Sequence, residues 1–131
     1  TLSWGTAAAS AATQAEMEAA SSTTVYASPG RTQYHPGTAK GWAKFDAAGA
    51  IQVSSNVTSI TDTGVGNWTV NWTTAFSSAD YVGLAAARDT VALIAAIGTL
   101  ATGTMQVLMF NDAGTAADTG GAITAAAFGD Q

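Results

Sequence analysis

The clearest periodic signal in the chain is Asn67-Trp68-Thr69-Val70-Asn71-Trp72-Thr73, where Trp68, Val70 and Trp72 share one face and Thr69, Asn71 and Thr73 the other. A period of two marks a half-buried antiparallel strand. Segments of similar character lie on both sides, at residues 42–45, 51–53, 57–61, 81–87, 91–97, 105–110 and 122–128. Turn chemistry separates them. Asp46-Ala47-Ala48-Gly49 predicts a hairpin between the first pair and Asp62-Thr63-Gly64-Val65-Gly66 a glycine-rich connection, with further turns expected at residues 77–80, 88–90, 98–103 and 111–121. About eight short strands at this spacing predict an all-β head, an antiparallel sandwich or a jelly-roll-like fold.

Ahead of the strands the pattern changes. Thr13 can cap a helix, Glu16 follows three residues later as a capping box requires, and Ala-rich positions run on to Ala20. A helix this short is marginal alone in water and needs a surface to pack on, a second copy of itself being one candidate. Pro29-Gly30 and Pro36-Gly37 end helical structure. The division predicted is an N-terminal helical or extended arm at residues 1–36 and a β-sandwich head at residues 37–131.

Composition adds a constraint on stability. Only 10% of the 131 residues are charged, against roughly 25% in ordinary soluble domains. Much of the 47% apolar content is alanine, whose methyl buries little area. Burial through subunit contact would offset that deficit. Nine acids face only Arg31, Lys40, Lys44 and Arg88, giving a net charge of −5 without any basic stripe, so nucleic acid is not an expected partner. With no cysteine, disulfides and Cys-type zinc sites are excluded. No apolar run approaches a membrane span, and membrane insertion is not expected.

The stretch Ala12-Thr13-Gln14-Ala15-Glu16-Met17-Glu18-Ala19-Ala20, leading through Ser and Thr to Ser28-Pro29-Gly30-Arg31, resembles the linker that joins shaft to head in bacteriophage fibres. Lys40-Gly41-Trp42-Ala43-Lys44-Phe45-Asp46, Asn56-Val57-Thr58-Ser59-Ile60-Thr61-Asp62 and the segment from Gly66 to Tyr81 are similar to a β-rich head domain at the C-terminal ends of phage tail-fibre and spike proteins. The resemblance covers about two-thirds of the chain and stops near Gly83. It implies a homotrimeric surface appendage whose head meets the host envelope. Residues 1–11 are too short for a long shaft, which favours a small spike, a head-decorating fibre or a fragment of a larger chain.

Candidate chemistry is sparse. His35, the only histidine, lies between Tyr34 and Pro36 with no nucleophile elbow anywhere in the chain, and is read as structural. Three copies on a trimer axis could ligate zinc or iron, but no metal or cofactor is expected. Most acids stand singly in turns, where aspartate bonds nearby backbone, so a glycosidase pair across a cleft is not predicted and the chain is read as a non-enzyme. Asp112 and Asp118 fit no EF-hand spacing. Trp68 and Trp72 are expected in the interior, each burying on the order of 150–250 Å². Trp42 and Phe45 are expected in the core or at a subunit interface. The sequons at Asn56, Asn67 and Asn71 carry little meaning in Thr-rich strands.

The resulting expectation is a virion surface fibre or spike protein, on capsid or tail, made in the cytoplasm of a bacterial host. Its distal loops would bind a host cell-surface glycan or protein, with Arg88, Asp89, Asn111, Asp112 and Asp118 as contacts. Trp4, Glu16, Met17 and Trp42 are expected in attachment to other virion proteins or in trimer formation. The alternatives are a capsid-decorating or tail-joining protein with no receptor, and a polysaccharide-degrading spike.

Overall fold

In the computed structural model, which describes residues 10–131, the first regular element is helix α1 (Gln14–Ala19). Its start is the expected capping box: the Glu16 N–H donates to Thr13 Oγ1 at 3.3 Å, and Glu16 Oε2 accepts the Thr13 N–H at 2.8 Å. Met17 is its buried residue. A short parallel bridge pairs Ala11 with Tyr26, and a single 3-10 turn (Thr32–Tyr34) follows, with the Arg31 guanidinium 5.9 Å from the Tyr34 ring centre. These belong to a first unit, Thr1–Thr38; the strands lie in a second, Ala39–Gln131.

The second unit holds β1 (Gly41–Asp46), β2 (Ile51–Ser55), β3 (Val57–Gly64), β4 (Asn67–Trp72), β5 (Val82–Arg88), β6 (Ile94–Ala101), β7 (Thr104–Phe110) and β8 (Ala122–Phe128). They form two four-stranded antiparallel sheets, β2-β1-β8-β5 and β3-β4-β7-β6, in a sandwich-like arrangement. Period-two alternation makes the core. Trp68, Val70 and Trp72 of β4 and Met105, Val107 and Met109 of β7 belong to one buried cluster with Ala43 and Phe45 of β1 and Ile123, Ala125 and Ala127 of β8. Trp68 joins the sheets: its ring meets Phe45 edge-on at 6.3 Å, and its Nε1–H donates to the Ala47 carbonyl at 2.8 Å. The polar indole atom is thereby satisfied while the ring is fully buried.

At the end of the sandwich where the chain enters β1, a second aromatic group closes the core. Phe76 and Tyr81, both on the connection from β4 to β5, stack at 3.9 Å. The Tyr81 hydroxyl accepts from Trp72 Nε1 at 3.2 Å and donates to the Thr104 carbonyl at 2.6 Å. Burial pushes this phenol above its ordinary range, opposed by the bond from Trp72.

Two turn expectations are corrected. The turn expected over residues 98–103 is confined to Thr102 and Gly103, because β6 continues to Ala101 with a register shift between Ile97 and Leu100. Gly98 is there because the Gln106 side-chain amide occupies the space a Cβ would need, its Oε1 accepting the Thr99 N–H at 3.0 Å. The glycine thus marks a strand irregularity instead of a chain reversal. Conversely, β6 begins at Ile94, so residues 91–93 are connection.

Asn56 alone passes the chain from β2 in one sheet to β3 in the other, with φ of 55°. Asparagine tolerates this left-handed conformation. Its Nδ2 donates to the carbonyls of Lys40 (2.9 Å) and Thr74 (3.1 Å), and its Oδ1 accepts the Thr74 N–H at 2.7 Å. Asn56→Ala, which loses these bonds and strains the backbone, is expected to destabilise the sandwich by about 1–3 kcal/mol. Asn56→Gly, relieved of the strain, should lose less; urea unfolding of the two variants checks the order.

Candidate functional site

Because successive strands alternate in direction, the connections following β1, β3, β5 and β7 gather at one end of the sandwich, and β1 begins and β8 finishes at the other. All five residues nominated as ligand contacts lie at the first end. Arg88 closes β5, Asp89 follows it, and Asn111, Asp112 and Asp118 sit in the connection from β7 to β8.

Hydrogen bonds accepted by acidic side chains brace these connections to one another. Asp89 Oδ2 accepts from Thr119 Oγ1 at 2.8 Å and from the Gly120 N–H at 2.6 Å, while its Oδ1 accepts the Thr90 N–H at 2.6 Å. These donors, Thr119 foremost, pull the Asp89 carboxyl down to about 2. Asp118 Oδ1 accepts the Gly66 N–H at 2.7 Å, tying the β7–β8 connection to the β3–β4 hairpin. Gly66, at φ of 64°, is packed so tightly that a Cβ would strike the Met109 carbonyl. Asn111 forms a local turn, its Oδ1 accepting the N–H groups of Ala113 (3.1 Å) and Thr115 (2.9 Å). Asp112 is exposed beside it.

Arg88 and Asp89 also line an open cavity of about 450 Å³ with Lys44, Gln52, Thr90, Gly120, Gly121 and Ala122. Asn111, Asp112 and Asp118 do not line it. Lys44 and Gln52 are not among the nominated contacts, because they belong to β1 and β2 and reach Arg88 only through the sheet. Strand parity was the available signal: Trp42 and Phe45 are three apart and cannot share a face. Phe45 is the core residue, whereas Trp42 lies on the opposite face at 39% exposure and lines a second, apolar cavity of about 320 Å³ with Leu84, Thr124 and Ala126.

Of the residues nominated for attachment, Glu16 completes the α1 capping box, and its carboxyl is lowered by the Thr13 N–H and then by the Thr13 hydroxyl. Met17 is buried. Trp4 lies outside the described residues. Among the described residues no group of three or more His, Cys, Asp or Glu could hold a metal ion, and no helix is long and apolar enough to cross a membrane. Comparison with protein-family models, with curated proteins and with solved structures yields no match.

Asp89 gives the loop end a pH dependence of known sign. Its folded value of about 2 lies below the ordinary 3.8, so its stabilisation is present above about pH 4 and is lost as pH falls through 2. Asp89→Asn should be less stable than the wild type at neutral pH, with the difference shrinking across this window; urea midpoints at a series of pH values read it directly.

Proposed function

We propose that the chain is the head of a small virion surface fibre or spike of a bacteriophage or phage-like particle, binding a host envelope glycan. The observation that carries this reading is the separation of the two ends of the sandwich. The chain enters at one, and the connections bearing Arg88, Asp89, Asn111, Asp112 and Asp118 gather at the other. A receptor-binding tip on an anchored stalk needs that polarity. Attachment to the particle falls to residues 1–17, and association as a homotrimer would multiply weak single-site binding. Low charge and high alanine content support association, since subunit contact adds burial that one chain of this composition lacks.

A second reading, a capsid-decorating or tail-joining protein without a receptor, draws on one specific observation. Asp89 and Asp118 already accept hydrogen bonds from neighbouring connections, which a purely structural tip would also require.

Purified protein is expected to bind bacterial envelope glycans on an array and to slow adsorption of the parent particle to its host. Failure in both assays favours the structural role. Light scattering should give three times the mass of the chain, and a stable monomer contradicts the trimer.

A further inference from the structure

We infer that the outer face of the β2-β1-β8-β5 sheet is a binding groove for an acidic saccharide; this deepens the proposed glycan reading and rests on it. The register builds the groove. Trp42 pairs with Ala126, which pairs with Leu84; Lys44 pairs with Thr124 and then Ala86; Asp46 pairs with Ala122 and then Arg88. The outward residues of β8 are therefore small and form a floor. Trp42 and Lys44 on β1 face Leu84 and Arg88 on β5 across it. The cavities of about 320 and 450 Å³ adjoin at Lys44, the apolar one towards Trp42 and Leu84 and the polar one towards Arg88 and Asp89.

The charges identify the occupant. The chain has only four cations at a net charge of −5, yet two of them line this groove. No ion pair or hydrogen bond among the described residues engages the Lys44 or Arg88 head group. The acids beside them in the sheet register hold backbone: Asp46, two residues along β1 from Lys44, accepts the N–H groups of Ala48 and Ala50 on its Oδ1 at 3.0 and 2.9 Å, and Asp89, next to Arg88, accepts from Thr90, Thr119 and Gly120. Lys44 and Arg88 outnumber the one carboxylate of this lining, Asp89, which stays ionised but has its lone pairs engaged, so an incoming carboxylate or phosphate meets two cationic head groups with no partner among the described residues. Trp42, exposed at 39%, and Leu84, at 55%, present apolar surface for the C–H face of a pyranose. Gln52, Thr90 and Thr124 add groups that bond hydroxyls. Laying an apolar surface of a second copy here would instead bury Lys44 and Arg88 without partners, at a cost of desolvation.

The test titrates the full chain by calorimetry with three oligosaccharides of matched length: a neutral glucan, a uronate-bearing chain and a phosphorylated chain of lipopolysaccharide-core type. The wild type should bind an acidic chain over the neutral one and weaken as salt is raised; the preferred acid identifies the source. Lys44→Ala, Arg88→Ala and Trp42→Ala, each verified as folded by urea unfolding, should bind about tenfold more weakly or worse, while Lys44→Arg keeps most of the affinity. If the wild type binds envelope glycans on an array and all three alanine variants bind equally well, the groove is wrong and the glycan reading stands. If the wild type binds no glycan and does not compete for adsorption, both fall. If Trp42→Ala breaks a solution oligomer while the wild type ignores all three sugars, the face belongs to a second copy and the groove is overturned.

Discussion

The sandwich depends on the Trp68 indole. An alanine-rich chain has few side chains wide enough to reach from one sheet to the other, and Trp68 does so with no exposed area. Its ring meets Phe45 of the facing sheet, and its N–H is satisfied by Ala47, the residue that follows β1. The same contact that fills the core therefore also holds the first hairpin in place. The inward alanines of β8, Ala125 and Ala127, complement the large residues of β4 and β7, so width on one side is matched by narrowness on the other.

Polar ties do at the loop end what aromatic packing does inside. Asp89 and Asp118 connect segments distant in sequence through hydrogen bonds to backbone N–H groups. Such bonds are short-ranged and directional, so they fix the shape of the end without requiring many charges. The low charge density of the sequence is consistent with this arrangement. Acids are few, and several of them are used to hold backbone.

Much of the strand pattern was legible because period-two alternation is local. β1, β4, β7 and β8 follow it closely, and the α1 capping box is a short-range signal of the same kind. Glycine misled at Gly98, where the missing side chain makes room for Gln106 from the neighbouring strand. Asn56 read as a weak glycosylation signal, and its work as a corner depends on Lys40 and Thr74, partners that no local window contains. For the candidate site the same division holds. Arg88 and Asp89 were visible as polar residues at a strand end. The outward setting of Trp42 follows from alternation once Phe45 is placed in the core, whereas the approach of Lys44 and Gln52 to Arg88 emerges only from sheet order and register, which alternation does not specify.

The small outward side chains of β8 bear on how such a sandwich can change. Thr124 and Ala126 point away from the packed interior and keep some exposure, so enlarging one of them leaves the fold's internal jigsaw alone and raises the floor of the outer face. Alanine becomes valine through a single nucleotide change. Depth along this furrow is thus adjustable in small increments while the architecture stays the same.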